Sequence, residues 1–138
     1  MRRRLILSGL AALAFAGQAL ASEGEGEKAP EPPYVDISPV GLPVVLDGRL
    51  VNYVFAQVRL NVRPGVDSGA LRAKEPYFRD ALIRAAHRTP FVLQDNPDRL
   101  DEAALKRVMA AEAARIAGPR AIVSVQVLRQ TPRQRLAR

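Results

Sequence analysis

The chain has 138 residues, 21 Lys and Arg against 14 Asp and Glu, a formal net charge of +7, and neither cysteine nor tryptophan. That length suits one domain with a hydrophobic core of its own, and without cysteine the stability must come from packing and not from disulfides. The charge excess belongs to the ends: losing Arg2, Arg3 and Arg4 lowers +7 to +4, and setting aside Arg129, Arg133, Arg135 and Arg138 leaves 14 bases against 14 acids from Ser22 to Leu128, which argues against a nucleic-acid partner.

Met1-Arg2-Arg3-Arg4 is followed by an apolar run from Leu5 to Phe15 and by Ala19-Leu20-Ala21 ahead of the polar Ser22-Glu23-Gly24. Basic, apolar and small-residue zones in that order read as an export signal over residues 1–21. Cleavage is expected after Ala21, with Ala19 and Ala21 at the small-residue positions and Ser22 as the new N-terminus; retention would leave the domain tethered on the outer side of the inner membrane. No cysteine follows the apolar run, so a lipoprotein is excluded. Residues 22–33, SEGEGEKAPEPP, carry almost nothing apolar and read as a disordered acidic, proline-rich linker.

Tyr34 to Leu46 is β-branched but interrupted by Pro39 and Pro43, which predicts an irregular or edge strand. Asp47-Gly48 then signals a hairpin. Past it, Val54, Ala56, Val58, Leu60 and Val62 alternate with Gln57, Arg59, Asn61 and Arg63, the pattern of a strand with one buried face. Pro64-Gly65 ends that strand, and Asp67 or Ser68 can cap a helix whose apolar positions are Leu71, Tyr77 or Phe78, Ala81, Leu82 and Ala85. Pro76 within it predicts a kink, or a short helix followed by a second one from Glu75. Phe91 to Leu93 is a small strand or tucked loop. The next helix starts at Asp98 or Asp101, carries Leu105, Val108, Met109, Glu112 and Ile116, and stops at Gly118-Pro119. Ala121 to Leu128 predicts a last strand, with Val123, Val125 and Val127 on its covered face. Strand, strand, helix, helix, strand fits an α+β fold: a small, mainly antiparallel sheet with two main helices on one face. That domain spans 34–130, and a basic tail follows over 131–138.

Chemistry is sparse in this pattern. His87 is the sole histidine and falls near a helix C-terminus, where imidazoles commonly meet the last carbonyls. Asp95, Asp98, Asp101 and Glu102 lack the loop of a calcium site and read as helix caps. Ser22, Ser38, Ser68 and Ser124 sit in no nucleophile elbow, and no glycine-rich phosphate loop follows a strand. No catalytic, cofactor or metal residue is therefore assigned, and the chain is expected to act by binding. Arg129, Arg133 and Arg135 form the basic cluster, which suits a solvated terminus or contact with an anionic membrane surface or acidic partner.

Tyr34-Val35-Asp36-Ile37, the long alternating strand to Val62, Glu75-Pro76 ahead of Phe78-Arg79-Asp80-Ala81-Leu82-Ile83, Leu105-Lys106, and the closing Ile122-Val123-Ser124-Val125 to Gln130 together resemble the flagellar basal-body-associated FliL family. The resemblance covers about Tyr34 to Gln130 by element order, and Phe78 to Ile83 is its sharpest piece. It implies a periplasmic domain similar to the stomatin/prohibitin fold that self-associates around stator units of the flagellar motor. It also marks Arg79 and Asp80 as interaction residues. FliL proteins keep their N-terminal segment as an anchor, whereas Ala19-Leu20-Ala21 here forms a cleavage pattern.

Overall fold

β1 (Tyr34–Leu46) and β2 (Arg49–Val62) form an antiparallel hairpin closed by Asp47 and Gly48. Both turn residues have positive φ, 52° and 72°, the conformation whose twist matches the flanking strands and which Asp-Gly tolerates best. The structure, a computed structural model, describes residues 30–134, in which Glu31 begins the folded unit. The expected export signal with Ala19, Ala21 and Ser22, most of the expected 22–33 linker, and Arg135 lie outside the described residues. Among the described residues no helix is long and apolar enough to cross a membrane.

The sheet has the order β1-β2-β3, both neighbours of β2 running antiparallel to it. β1 is thus an edge strand, where its prolines do least harm. Ile37 pairs with Val58 and Val40 with Ala56, so Ser38 and Pro39 together oppose Gln57. This bulge places Pro39, which has no N–H, where no ladder bond is required, and it turns the Ser38 N–H to donate to Glu75 Oε1 at 3.0 Å. β2 is central, and its alternation holds: Val54, Ala56, Val58, Leu60 and Val62 are all buried.

α1 (Ser68–Ala73) is capped by Asp67, whose carboxylate accepts from the Ala70 N–H at 3.1 Å. Its axis stops at Lys74, and α2 (Glu75–Arg88) starts afresh with Pro76 in its first turn. A proline there costs no intrahelical bond, because the first N–H groups of a helix have no intrahelical acceptor. Of the two expectations for Pro76, the restart holds. Phe91 is buried, Val92 makes a single bridge to Leu100, and the Asp101 N–H donates to the Phe91 carbonyl, so this stretch is a tucked loop. α3 (Glu102–Ala117) is capped by Asp101, not Asp98, and ends at Gly118, whose φ of 96° and ψ of 157° are accessible to glycine almost alone.

α2 packs on β1, α3 packs on β3, and the two helices touch each other. Phe78, Leu82, Leu105 and Met109 are fully buried against the inward residues of the sheet in one core. The α+β architecture, with the helices on one face of an antiparallel sheet, follows as expected.

β3 (Ile122–Pro132) departs from its expected pattern. Asn61 pairs with Ser124 and Val62 with Ile122, which leaves Val123 as an extra residue; Gln57 pairs with Arg129 and Val58 with Val127, which leaves Leu128 as another. Each insertion shifts the side chains that follow to the other face. Val123 is therefore 58% exposed, not buried, while Ile122 is half-buried and Val125 is in the core. The strand also runs past Leu128 to Pro132, and the Arg133 N–H donates to the Tyr53 carbonyl at 2.8 Å. Arg129 is accordingly a strand residue, and the domain reaches beyond the expected boundary at 130. At the other end, the Val62 N–H donates to the Pro33 carbonyl, so the linker's last residue joins the sheet.

Candidate functional site

With the helices on one face, the outward residues of β2 lie on the opposite one: Tyr53, Phe55, Gln57, Arg59 and Asn61, none of them in the core. Asp36 of β1 stands directly across from Arg59. The two form a fork, Arg59 Nε to Asp36 Oδ1 at 2.6 Å and Nη2 to Oδ2 at 2.8 Å, the geometry in which a guanidinium and a carboxylate meet best. Tyr34 lies opposite Asn61, two positions from Arg59, so its ring reaches under the guanidinium with Cζ 3.8 Å from the centroid. The hydrogen bonds that Arg59 donates to Asp36 hold its proton more tightly than usual, outweighing the loss of hydration and aided by the charge of Asp36. On the other side of β2, Asn61 Nδ2 donates to Ser124 Oγ at 2.8 Å.

Two depressions mark this open face. One, of about 490 Å³, is lined by Tyr34, Arg59, Asn61, Val123, Ser124 and Gln126, among others. A second, of about 280 Å³, lies between Pro39, Phe55, Gln57, Arg129 and Thr131. The Phe55 ring lies against Gly41, where a Cβ would stand 3.2 Å from Phe55 Cε1. A side chain at 41 would push the ring away. Phe55 is 45% exposed and Leu128 43%, so together with Val123 they leave large apolar groups facing water.

Charge is unevenly placed. The three strands contain Arg49, Arg59 and Arg129 but a single acid, Asp36, and that acid is consumed by Arg59. Among the described residues no carboxylate pairs with Arg129. The other acids are on helices and loops, where most of them already have work. Asp67 and Asp101 cap helices, Glu102 pairs with Lys106 at 2.9 Å, and Asp98 accepts from Asn52 Nδ2 at 2.9 Å. His87 Nδ1 lies 2.8 Å from the Ile83 carbonyl, one turn back on its own helix. Among the described residues no group of three or more His, Cys, Asp or Glu is placed to hold a metal ion.

The candidate interaction residues, Arg79 and Asp80 from the FliL resemblance and Arg129 and Arg133 from the basic cluster, divide between two sides of the sheet. Ala81 and Leu82 of the Arg-Asp-Ala-Leu run are buried, Arg79 is half-buried, and Asp80 pairs with Arg84 at 2.8 Å on exposed helix surface. Arg129 faces the open side, and Arg133 follows the end of β3 beside Pro97 and Asp98. Arg79 and Asp80 are thus not brought together with the basic residues of the C-terminal strand.

Two polar clasps were not singled out beforehand. Asn52, buried on the inward row of β2, donates to Asp98 and to the Pro97 carbonyl; Gln130 accepts from the Leu100 N–H at 2.8 Å and donates to Glu102. Asn52 had a signal, since it occupies the inward position one step before Val54. Gln130 had none, because only the bulge at Leu128 turns it inward.

Comparison with protein-family models and with curated proteins gives no match.

Proposed function

We propose that the chain is a non-enzymatic, FliL-like accessory domain of the flagellar motor or basal body, exported to the periplasm and acting by self-association and protein binding to support motility. The observation that carries the binding part of this reading is the bare sheet face, where Val123 is exposed and Phe55 is exposed beside Arg129, which has no carboxylate partner among the described residues. Apolar groups in water next to polar, partly committed neighbours are the common make-up of a protein contact surface. The flagellar context rests on the resemblance of Tyr34 to Gln130.

An in-frame deletion of the gene tests it through swimming in soft agar and co-purification with stator proteins. A smaller swimming halo, restored by the wild-type gene, supports the reading. Unchanged swimming together with no stator in the purified material would overturn it.

The depression of about 490 Å³ around Tyr34 and Arg59 favours a second reading, an envelope-binding module with no flagellar role. That reading expects a monomer whose melting temperature rises with a periplasmic small molecule, an effect lost in Tyr34→Ala.

A further inference from the structure

We propose that the open sheet face between Val123 and Phe55 is a docking site for an acidic, apolar-bearing segment of a partner protein, an inference that rests on the protein-binding part of the reading above. β2 between Phe55 and Asn61 presents Phe55, Gln57, Arg59 and Asn61 outward, a row about 20 Å long at the usual strand rise. Both depressions lie along this row, and each has an apolar contributor, Val123 in one and Phe55 in the other.

Charge selects the occupant. Asp36 is the sheet's one acid and is held in the Arg59 fork, and Glu31 lines the depression at the Tyr34 end of the row, so the stretch beside Phe55 presents Arg129 with no carboxylate of its own among the described residues. A carboxylate on the incoming segment would pair with Arg129, while apolar side chains on either side of it would cover Phe55 and Val123. A second copy meeting face to face would bring Arg129 and Arg59 against their own kind, which disfavours symmetric pairing. Polyphosphate partners fit less well. Binding to them grows with the number of phosphates neutralised, and the stretch between Val123 and Phe55 offers a single guanidinium, Arg129, without a partner among the described residues, while the Tyr34 ring already has Arg59 over it. An anionic membrane likewise calls for a cluster of cations.

The bulges support the same surface. Val123 and Leu128 are the two extra residues of β3, and both hold aliphatic side chains in water. A regular register would have put Val123 in the covered row. Bulges also interrupt the ladder at the β3 edge, which discourages addition of a further strand there and leaves the face as the surface to be used.

The test uses the full chain and fluorescein-labelled eight-residue peptides, one alternating Glu and Leu, one alternating Lys and Leu, and one of Glu and Ser, together with a dodecathymidine oligonucleotide and phosphatidylglycerol vesicles. Fluorescence anisotropy should show saturable binding of the Glu-Leu peptide, weakened by salt, and at least tenfold weaker binding of each other probe. Arg129→Glu and Phe55→Ser should each weaken Glu-Leu binding at least tenfold, with the circular dichroism spectrum and melting temperature showing that both variants stay folded. No binding of the Glu-Leu peptide, equal binding of the Lys-Leu peptide, stronger binding of the oligonucleotide or vesicles, or insensitivity to both substitutions would each overturn the proposal. Swimming of the deletion strain is a separate readout. Unchanged swimming with Glu-Leu binding intact removes the flagellar role and leaves the docking site standing.

Discussion

Asn52 is the residue on which local polarity and packing conflict most directly. It is 6% exposed on the inward row of β2, a position that an aliphatic side chain would fill, yet it holds the loop before α3 by two donated hydrogen bonds. Replacing it with alanine removes both hydrogen bonds, leaves the Pro97 carbonyl without this donor and the exposed Asp98 to water, and opens a small void. Such a loss costs about 1–3 kcal/mol, and Asn52→Ala should lower the melting temperature by roughly 4–8 °C for each of them. Faster amide exchange over residues 94–101, with β2 unchanged at Leu60, would place the damage in the loop. Arg59 behaves differently because it is well solvated. Its folded pKa lies above its unfolded one, so the contribution of its charge is complete below the unfolded value and is lost only as pH rises through the folded value, at the alkaline extreme. Heating between pH 7 and 9 should therefore leave the fork with Asp36 intact. Arg59→Lys is the change that breaks it, since an ammonium can neither fork to a carboxylate nor lie flat on Tyr34, and loss of the Tyr34 ring-current shifts would report it.

At the scale of elements, α2 shows how a sequence run divides between core and solvent. Phe78 is fully buried while its neighbour Tyr77 is 66% exposed, so the two adjacent aromatic rings predict opposite outcomes. Phe78→Ala should cost about 3–5 kcal/mol in urea unfolding, and Tyr77→Ala less than about 0.5 kcal/mol. Equal effects would mean that the helix is rotated about its axis. The spacing of Leu71, Ala81, Leu82 and Ala85 made this face readable in the sequence while leaving Tyr77 or Phe78 open, and the alternation of β2 and the Asp47-Gly48 turn were readable too, because each is a local period or a local backbone requirement. Pro76 left two outcomes open, and the choice of a fresh helix start was settled by contacts far away in sequence, with Glu75 reaching the Ser38 N–H across the β1 bulge. β3 was legible as a strand, and Val125 and Val127 face the core as expected, but Val123 does not. Its two bulges depend on register against β2, and no period within Ile122–Pro132 records that register. The open face was legible in part: Gln57, Arg59 and Asn61 followed from the alternation of β2, whereas Phe55 was not singled out, Val123 was assigned to the wrong side, and the place of Arg129 beside Phe55 could not be read at all.

For the molecule as a whole, the last strand carries the longest-range connection. Asn61 and Ser124 hydrogen-bond across 63 positions, so pairing β3 with β2 closes the whole stretch of chain that carries α1, α2 and α3. Its far end, from Arg129 to Arg133, is where a basic tail might have been cut away without thought. The structure argues otherwise. Arg129, Gln130, Thr131 and Pro132 pair with Gln57, Ala56, Phe55 and Val54, the Arg133 N–H reaches the Tyr53 carbonyl, and Gln130 accepts from the Leu100 N–H ahead of α3. A chain ending at Leu128 loses these bonds together and uncovers one side of Val54 and Ala56. At about 0.5–1.5 kcal/mol for each net hydrogen bond, with the stranded Leu100 amide added, the loss reaches roughly 3–5 kcal/mol. Domains of this size hold only about 5–15 kcal/mol in all. The truncated chain should therefore unfold at much lower urea, with its slope against urea nearly kept because the core itself is still buried. Gln130→Ala in the full chain removes the clasp on Leu100 without removing the strand and should cost about 1–2 kcal/mol. If truncation costs no more than that single substitution, the pairing beyond Leu128 adds nothing to stability, and the strand would be better drawn as ending there.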